Sequence, residues 1–174
     1  MEAVEISEHK SEGIPDVMPW ALGNMDKRGK RSVLKSLYLD PEKLEKHNMD
    51  LKAKYDAMQK EVRFEEYCTE DAEYLVAAFG TTARIARTAI ANLRDEGVKV
   101  GMIRPVTLYP FPKERIRQLS EKARHVLVVE MNTGQMLEDV QAAVCDRAPV
   151  SFNGRCGGIA PSVKEIEEKL RELL

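Results

Sequence analysis

The feature that most constrains this chain is a change of pattern at Ala72. From there to the C-terminus, short apolar runs alternate with helical stretches that are apolar on one face only. Tyr74-Leu-Val-Ala-Ala-Phe-Gly80 is a continuous apolar run closed by glycine, which suits a strand covered on both faces, as in parallel sheets. Thr81 to Glu96 carries Ile85, Ala86, Ala89, Ile90 and Leu93 at helical spacing, and Gly97 is placed to terminate that helix. Val98–Ile103 predicts the second strand and His125–Glu130 the third. Pro149–Phe152 predicts a short fourth. The helices between and after them carry Ile116, Leu119 and Ala123, then Met136, Leu137, Val140 and Val144, then Val163, Ile166, Leu170 and Leu173. Ser162-Val-Lys-Glu165 is a capping box that opens the last helix.

Strands alternating with amphipathic helices predict an α/β fold of three layers, a mostly parallel sheet with helices on both faces. The first three strands should be mutually parallel, with the fourth in the same sheet. The chain divides in this reading into residues 1–70, an extended arm and an amphipathic helix, and residues 71–174, the α/β domain. Within the arm, Asp40-Pro41 reads as N-cap and first helical residue. The helix should run to about Val62, with Leu44, Leu51, Tyr55, Met58 and Val62 forming a stripe that has to pack on something. The run Asp26-Lys-Arg-Gly-Lys-Arg31 could hold a phosphate or be a solvated loop.

Composition narrows the function classes. A net charge of −2 argues against nucleic-acid binding through bulk positive charge. No apolar run reaches membrane-spanning length and the polar N-terminus has no signal-peptide character, so a cytoplasmic protein without a membrane partner is expected. Cys68, Cys145 and Cys156 include no C-x-x-C pair. His9, His47 and His125 are scattered, so no metal site is expected.

Ligands and partners of parallel sheets meet the carboxyl ends of the strands. Three segments sit there. Gly80-Thr81-Thr82 joins a strand to a helix N-terminus, where free N–H groups can hold an anion, but there is no G-x-G-x-x-G and no G-x-x-x-x-G-K; helix capping by either threonine accounts for the same residues. Arg104 to Phe111 holds two aromatics, Tyr109 and Phe111, among prolines, a stiff loop that loses little entropy on docking. Glu130, Asn132 and Gln135 follow the third strand without a nucleophile or second acid at a spacing that would make a catalytic set. Arg104, Tyr109, Phe111, Glu130, Asn132 and Gln135 are therefore candidates for subunit contacts rather than for catalysis, with hydrogen bonding within the loop as the alternative for Glu130, Asn132 and Gln135. The glycine-rich loop Asn153–Gly158, with one cation, could touch a phosphate, although a turn before the last helix is enough to explain it.

Several of these strings resemble one family. Tyr74-Leu-Val-Ala-Ala-Phe-Gly-Thr-Thr-Ala-Arg-Ile-Ala86, Gly101-Met-Ile-Arg-Pro-Val-Thr-Leu-Tyr-Pro-Phe-Pro112, Val128-Val-Glu-Met-Asn-Thr-Gly-Gln-Met136 and Asn153-Gly-Arg-Cys-Gly-Gly158 are similar to the α subunit of 2-oxoacid:ferredoxin oxidoreductases. The branched-chain 2-oxoacid and 2-oxoglutarate types are the nearest. Ser36-Leu-Tyr-Leu-Asp-Pro41 extends the likeness to at least residues 31–174.

The resemblance implies a domain like the C-terminal domain of transketolase, with the arm leading into it and the family's N-terminal thiamine domain missing. It implies membership of an enzyme that converts a 2-oxoacid and coenzyme A to acyl-CoA, carbon dioxide and reduced ferredoxin. Thiamine diphosphate and iron–sulfur clusters would then be held by other domains or subunits, with no cofactor bound by this chain. Its partners would be those thiamine-binding and ferredoxin-like parts, and ferredoxin indirectly; a homodimer is left open. No catalytic residue of the family maps onto residues 1–174, so the chain alone is expected to be inactive. The alternative is an autonomous Rossmann-like domain that binds a small ligand or anion at Gly80-Thr81-Thr82. A receiver-type signalling module is disfavoured, because the positions that would need acidic groups read Gly80 and Glu130.

Overall fold

A computed structural model describes residues 29–31, 33 and 35–174. Two compact units are present: Asp56–Leu174 holds the sheet, and the described residues up to Tyr55 belong to the other. Half of the Asp26–Arg31 run, Asp26 to Arg28, lies outside the described residues.

In the first unit of the chain, Asp40 caps α1 (Pro41–Ala57) by accepting from the backbone N–H groups of Glu42 (3.1 Å) and Lys43 (3.4 Å). The helix stops at Ala57, and a 3-10 turn covers Met58–Glu61, so it is shorter than its apolar periodicity suggests. No residue of α1 is buried, and Leu44 and Tyr55 of the expected stripe are exposed.

The second unit is a five-stranded sheet of β1 (Phe64–Tyr67), β2 (Tyr74–Ala78), β3 (Val100–Pro105), β4 (His125–Glu130) and β5 (Val150–Gly154), in the order β1-β3-β2-β4-β5. β2 is parallel to β3 and to β4, and β4 is parallel to β5, as the alternating pattern requires. The four expected helices are α2 (Gly80–Asp95), α3 (Lys113–Ser120), α4 (Gln135–Val144) and α5 (Val163–Arg171). Alternate strand residues feed two cores. Tyr74, Val76, Ala78, Leu127 and Val129 pack with α2 and α5, while Leu75, Ala77, Val126 and Val128 pack with α3 and α4. The central strand β2 is buried at every position, which is why it carries no polar alternation.

Helix ends follow local chemistry. Gly97, at φ +88°, closes α2 in a Schellman arrangement: its N–H donates to Arg94 O (2.9 Å) and that of Val98 to Leu93 O (3.0 Å). The predicted capping box is present, with Glu165 N donating to Ser162 Oγ and Ser162 N to Glu165 Oε2, both at 3.1 Å.

Two expectations are corrected. Residues 64–67, assigned above to the arm, form the antiparallel edge strand β1, paired Phe64 to Pro105 and Glu65 to Arg104. The second parallel strand accordingly runs two residues further than expected, through Arg104 and Pro105. Phe-Glu-Glu-Tyr has weak strand propensity; the open edge of β3 supplies the pairing that overrides it. The edge is blunted by charge. Glu65 accepts from Arg104 Nη1 (2.9 Å), and Glu66 takes a two-pronged contact from Arg115 of α3, Nε to Oε1 at 2.6 Å and Nη2 to Oε2 at 2.9 Å. The Arg115 guanidinium holds the Glu66 carboxyl below its usual 4.5.

Candidate functional site

β2 leads through α2 to β3 on one side and, by way of α3 on the opposite face, the chain reaches β4 on the other side. The carboxyl ends of β2 and β4 are thus the switch point at which open α/β sheets form a crevice. Here that crevice is a cavity of about 200 Å³ lined by Phe79, Gly80, Thr81, Thr82, Met131 and Asn132. The structure therefore brings two of the three candidate segments together. Gly80 at φ +56° turns the chain sharply from β2 into α2, a conformation that favours glycine.

The polar groups lining the crevice are largely occupied. Thr82 is buried, and its hydroxyl donates to Phe79 O at 2.7 Å instead of accepting from a backbone N–H; neither threonine side chain caps the helix as the sequence suggested. Asn132 Oδ1 accepts from Gly134 N (2.7 Å) and Gln135 N (3.0 Å), and its Nδ2 donates to Glu130 Oε2 (2.9 Å).

Glu130 is wholly buried. Its Oε2 also accepts from Met136 N (2.8 Å) and its Oε1 from Leu137 N (2.9 Å), so the carboxylate sits against the open N–H groups of the first turn of α4. Of the two readings open for Glu130, contact with another chain or hydrogen bonding within the loop, the bonds seen are within the loop, and the side chain has no exposed surface in this chain. Phe111 is likewise buried, among Ile116, Met136 and their neighbours. Tyr109 is exposed, Gln135 is exposed, Asn132 is partly exposed and Arg104 is engaged with Glu65.

The Pro105–Pro112 loop is pinned from below. Thr107 Oγ1 donates to Pro110 O (2.8 Å) and accepts from Arg63 N (3.0 Å), and the Tyr109-Pro110 peptide bond is cis. Between this loop and Val62–Phe64 lies an open groove of about 690 Å³, walled by Val62, Phe64, Leu108, Tyr109 and Pro110, with Lys113, Glu114 and Asp139 among its polar residues. The sequence reading missed this groove because it missed β1. The loops it chose, Arg104 to Phe111 and Glu130 to Gln135, also hold Val106, Leu108 and Met131, apolar residues next to those it named. In the Asp56–Leu174 unit the exposed large hydrophobic residues are Phe64, Val106, Leu108, Tyr109, Met131, Ile159 and Leu174. All but Leu174 lie at the carboxyl end of the parallel strands.

Thiamine diphosphate is bound through its charged diphosphate, usually with a divalent cation, and such a cation takes oxygen ligands in a dedicated set. The crevice contains no acidic residue, and among the described residues no group of three His, Cys, Asp or Glu could hold a metal ion. With Thr82 and Asn132 engaged inside the fold, the residues present do not fit that cofactor. No helix among the described residues is long and apolar enough to cross a membrane.

Comparison with known proteins agrees with this geometry. Residues 72–166 match the family model of pyruvate:ferredoxin oxidoreductase core domain II. The chain is 39% identical over 173 residues to ketoisovalerate oxidoreductase subunit VorB of Methanothermobacter marburgensis, covering 99% of this chain and 48% of that one. It is 39% identical over 102 residues to 2-oxoglutarate synthase subunit KorA of the same organism, covering 59% of this chain and 27% of the relative. The chain thus spans about half the length, or less, of these curated relatives. Among solved structures it is similar to 2-oxoglutarate:ferredoxin oxidoreductase from Magnetococcus marinus, with a TM-score of 0.65, 22% identity, and coverage of 78% of this chain and 24% of that one. A split-gene transketolase, described as an inactive β4 tetramer, shares the fold with a TM-score of 0.56 and 17% identity, over 64% of this chain and 41% of that one. A sheet of this order, a family match over residues 72–166 and relatives of one enzyme class converge: the chain belongs to the 2-oxoacid:ferredoxin oxidoreductase family and has a transketolase-like fold.

Proposed function

We propose that this chain is the transketolase-like half of the α-type subunit of a thiamine-diphosphate-dependent 2-oxoacid:ferredoxin oxidoreductase, and that its work is assembly rather than chemistry. The enzyme would convert a 2-oxoacid and coenzyme A to acyl-CoA and carbon dioxide and pass the electrons to ferredoxin. Thiamine diphosphate and the iron–sulfur clusters would belong to the parts of the enzyme that this chain does not include. The observation that carries the reading is the gathering of Phe64, Val106, Leu108, Tyr109, Met131 and Ile159 at one end of the sheet. Apolar surface collected beside polar groups, as here with Asn132, Gln135 and Lys113, is the composition of a contact surface.

The test is capture of the thiamine-binding part of the enzyme by the full chain, compared with a Leu108→Asp, Met131→Asp double variant. Both side chains are exposed, so the variant should keep the parental melting temperature and lose capture. Normal capture by a folded variant would place the contact surface elsewhere. The chain by itself, with thiamine diphosphate, coenzyme A and a 2-oxoacid, should give no viologen reduction above the enzyme-free control.

A further inference from the structure

We draw no further inference here: the strongest candidate, the apolar groove between the Leu108–Pro112 loop and Val62–Phe64 at the carboxyl end of the sheet, belongs to the contact surface already proposed, and nothing in the structure shows what other partner covers it.

Discussion

Replacing Glu130 separates a folding role from a contact role. Its carboxylate accepts from Met136 N, Leu137 N and Asn132 Nδ2 at 2.8–2.9 Å and has no exposure. In Glu130→Ala the Asn132 amide, which is partly exposed, can turn to water. Met136 N has no such escape, since its residue is 4% exposed, and Leu137 N is half-buried. A buried donor left without an acceptor costs about 1–3 kcal/mol. Loss of negative charge at a helix N-terminus adds about 0.3–1 kcal/mol. Counting the one fully buried donor and the lost charge, these give roughly 1–4 kcal/mol, a drop of roughly 3–16 °C in Tm at about 2–4 °C per kcal/mol for a chain of this size. Glu130→Gln keeps the volume and one acceptor oxygen but turns an amide NH2 toward a donor, so it should fall between the two. That variant distinguishes the lost acceptor from the cavity the alanine leaves. Thermal unfolding followed by circular dichroism reads both. If both variants melt with the parent chain while capture of the partner is lost, the carboxylate faces outward and the reasoning fails.

Gly101 faces the Cys68 carbonyl oxygen so closely that an added Cβ would collide with it and would meet Ala72 Cβ at 2.9 Å. Gly101→Ala should destabilise by about 1–3 kcal/mol by overpacking, measured by urea unfolding, and an unchanged midpoint would show that the β1–β2 turn can give way. Acid should weaken the fold through two groups with the same sign. Glu66 is held below its usual 4.5 by Arg115, so its contribution is complete above that value and is lost as the pH falls through the depressed one. His125, held below its usual 6.5 by burial, adds a loss that begins on falling below 6.5. Unfolding free energy should therefore decline in two stages on acidification, and Glu66→Gln should shrink the lower one, to which Asp71, Glu96 and Glu165, also held low by their partners, contribute as well. A profile unchanged by that substitution would show that the Arg115 contact does not anchor the edge strand.

Much of the architecture is legible in the sequence because buried parallel strands leave an unambiguous mark. Tyr74–Ala78 and Val126–Val129 are apolar without interruption, and only a site covered on both faces tolerates that. The helix boundaries were equally readable where a named local interaction sets them, as at Gly97 and Ser162. Sequence alone hid β1. Its two glutamates face arginines forty-nine or fewer residues away, Glu65 meeting Arg104 and Glu66 meeting Arg115, and local pattern holds no trace of such pairing. The arm helix was drawn too long for the opposite reason: Met58 and Val62 continue the apolar period, but the backbone leaves the α-helix at Ala57.

At the site, the polar residues after a buried strand left two readings open, contact with another chain or hydrogen bonding within the loop. A carboxylate there has two outlets, a partner or the N-terminus of the next helix, and only the second is guaranteed to be within reach in every βα unit. Glu130 and Asn132 take it, through contacts two to seven residues along the chain. Their charge and hydrogen-bonding capacity therefore stabilise the loop and leave nothing unsatisfied for another molecule to complete. Exposed apolar side chains have no such internal outlet. Leu108 and Met131 stand on either side of these engaged groups, held outward by loops that Thr107 and Asn132 fix from within. In this fold the hydrogen bonds shape the carboxyl-end loops, and the free energy left to be gained by docking lies in the apolar residues that those loops present.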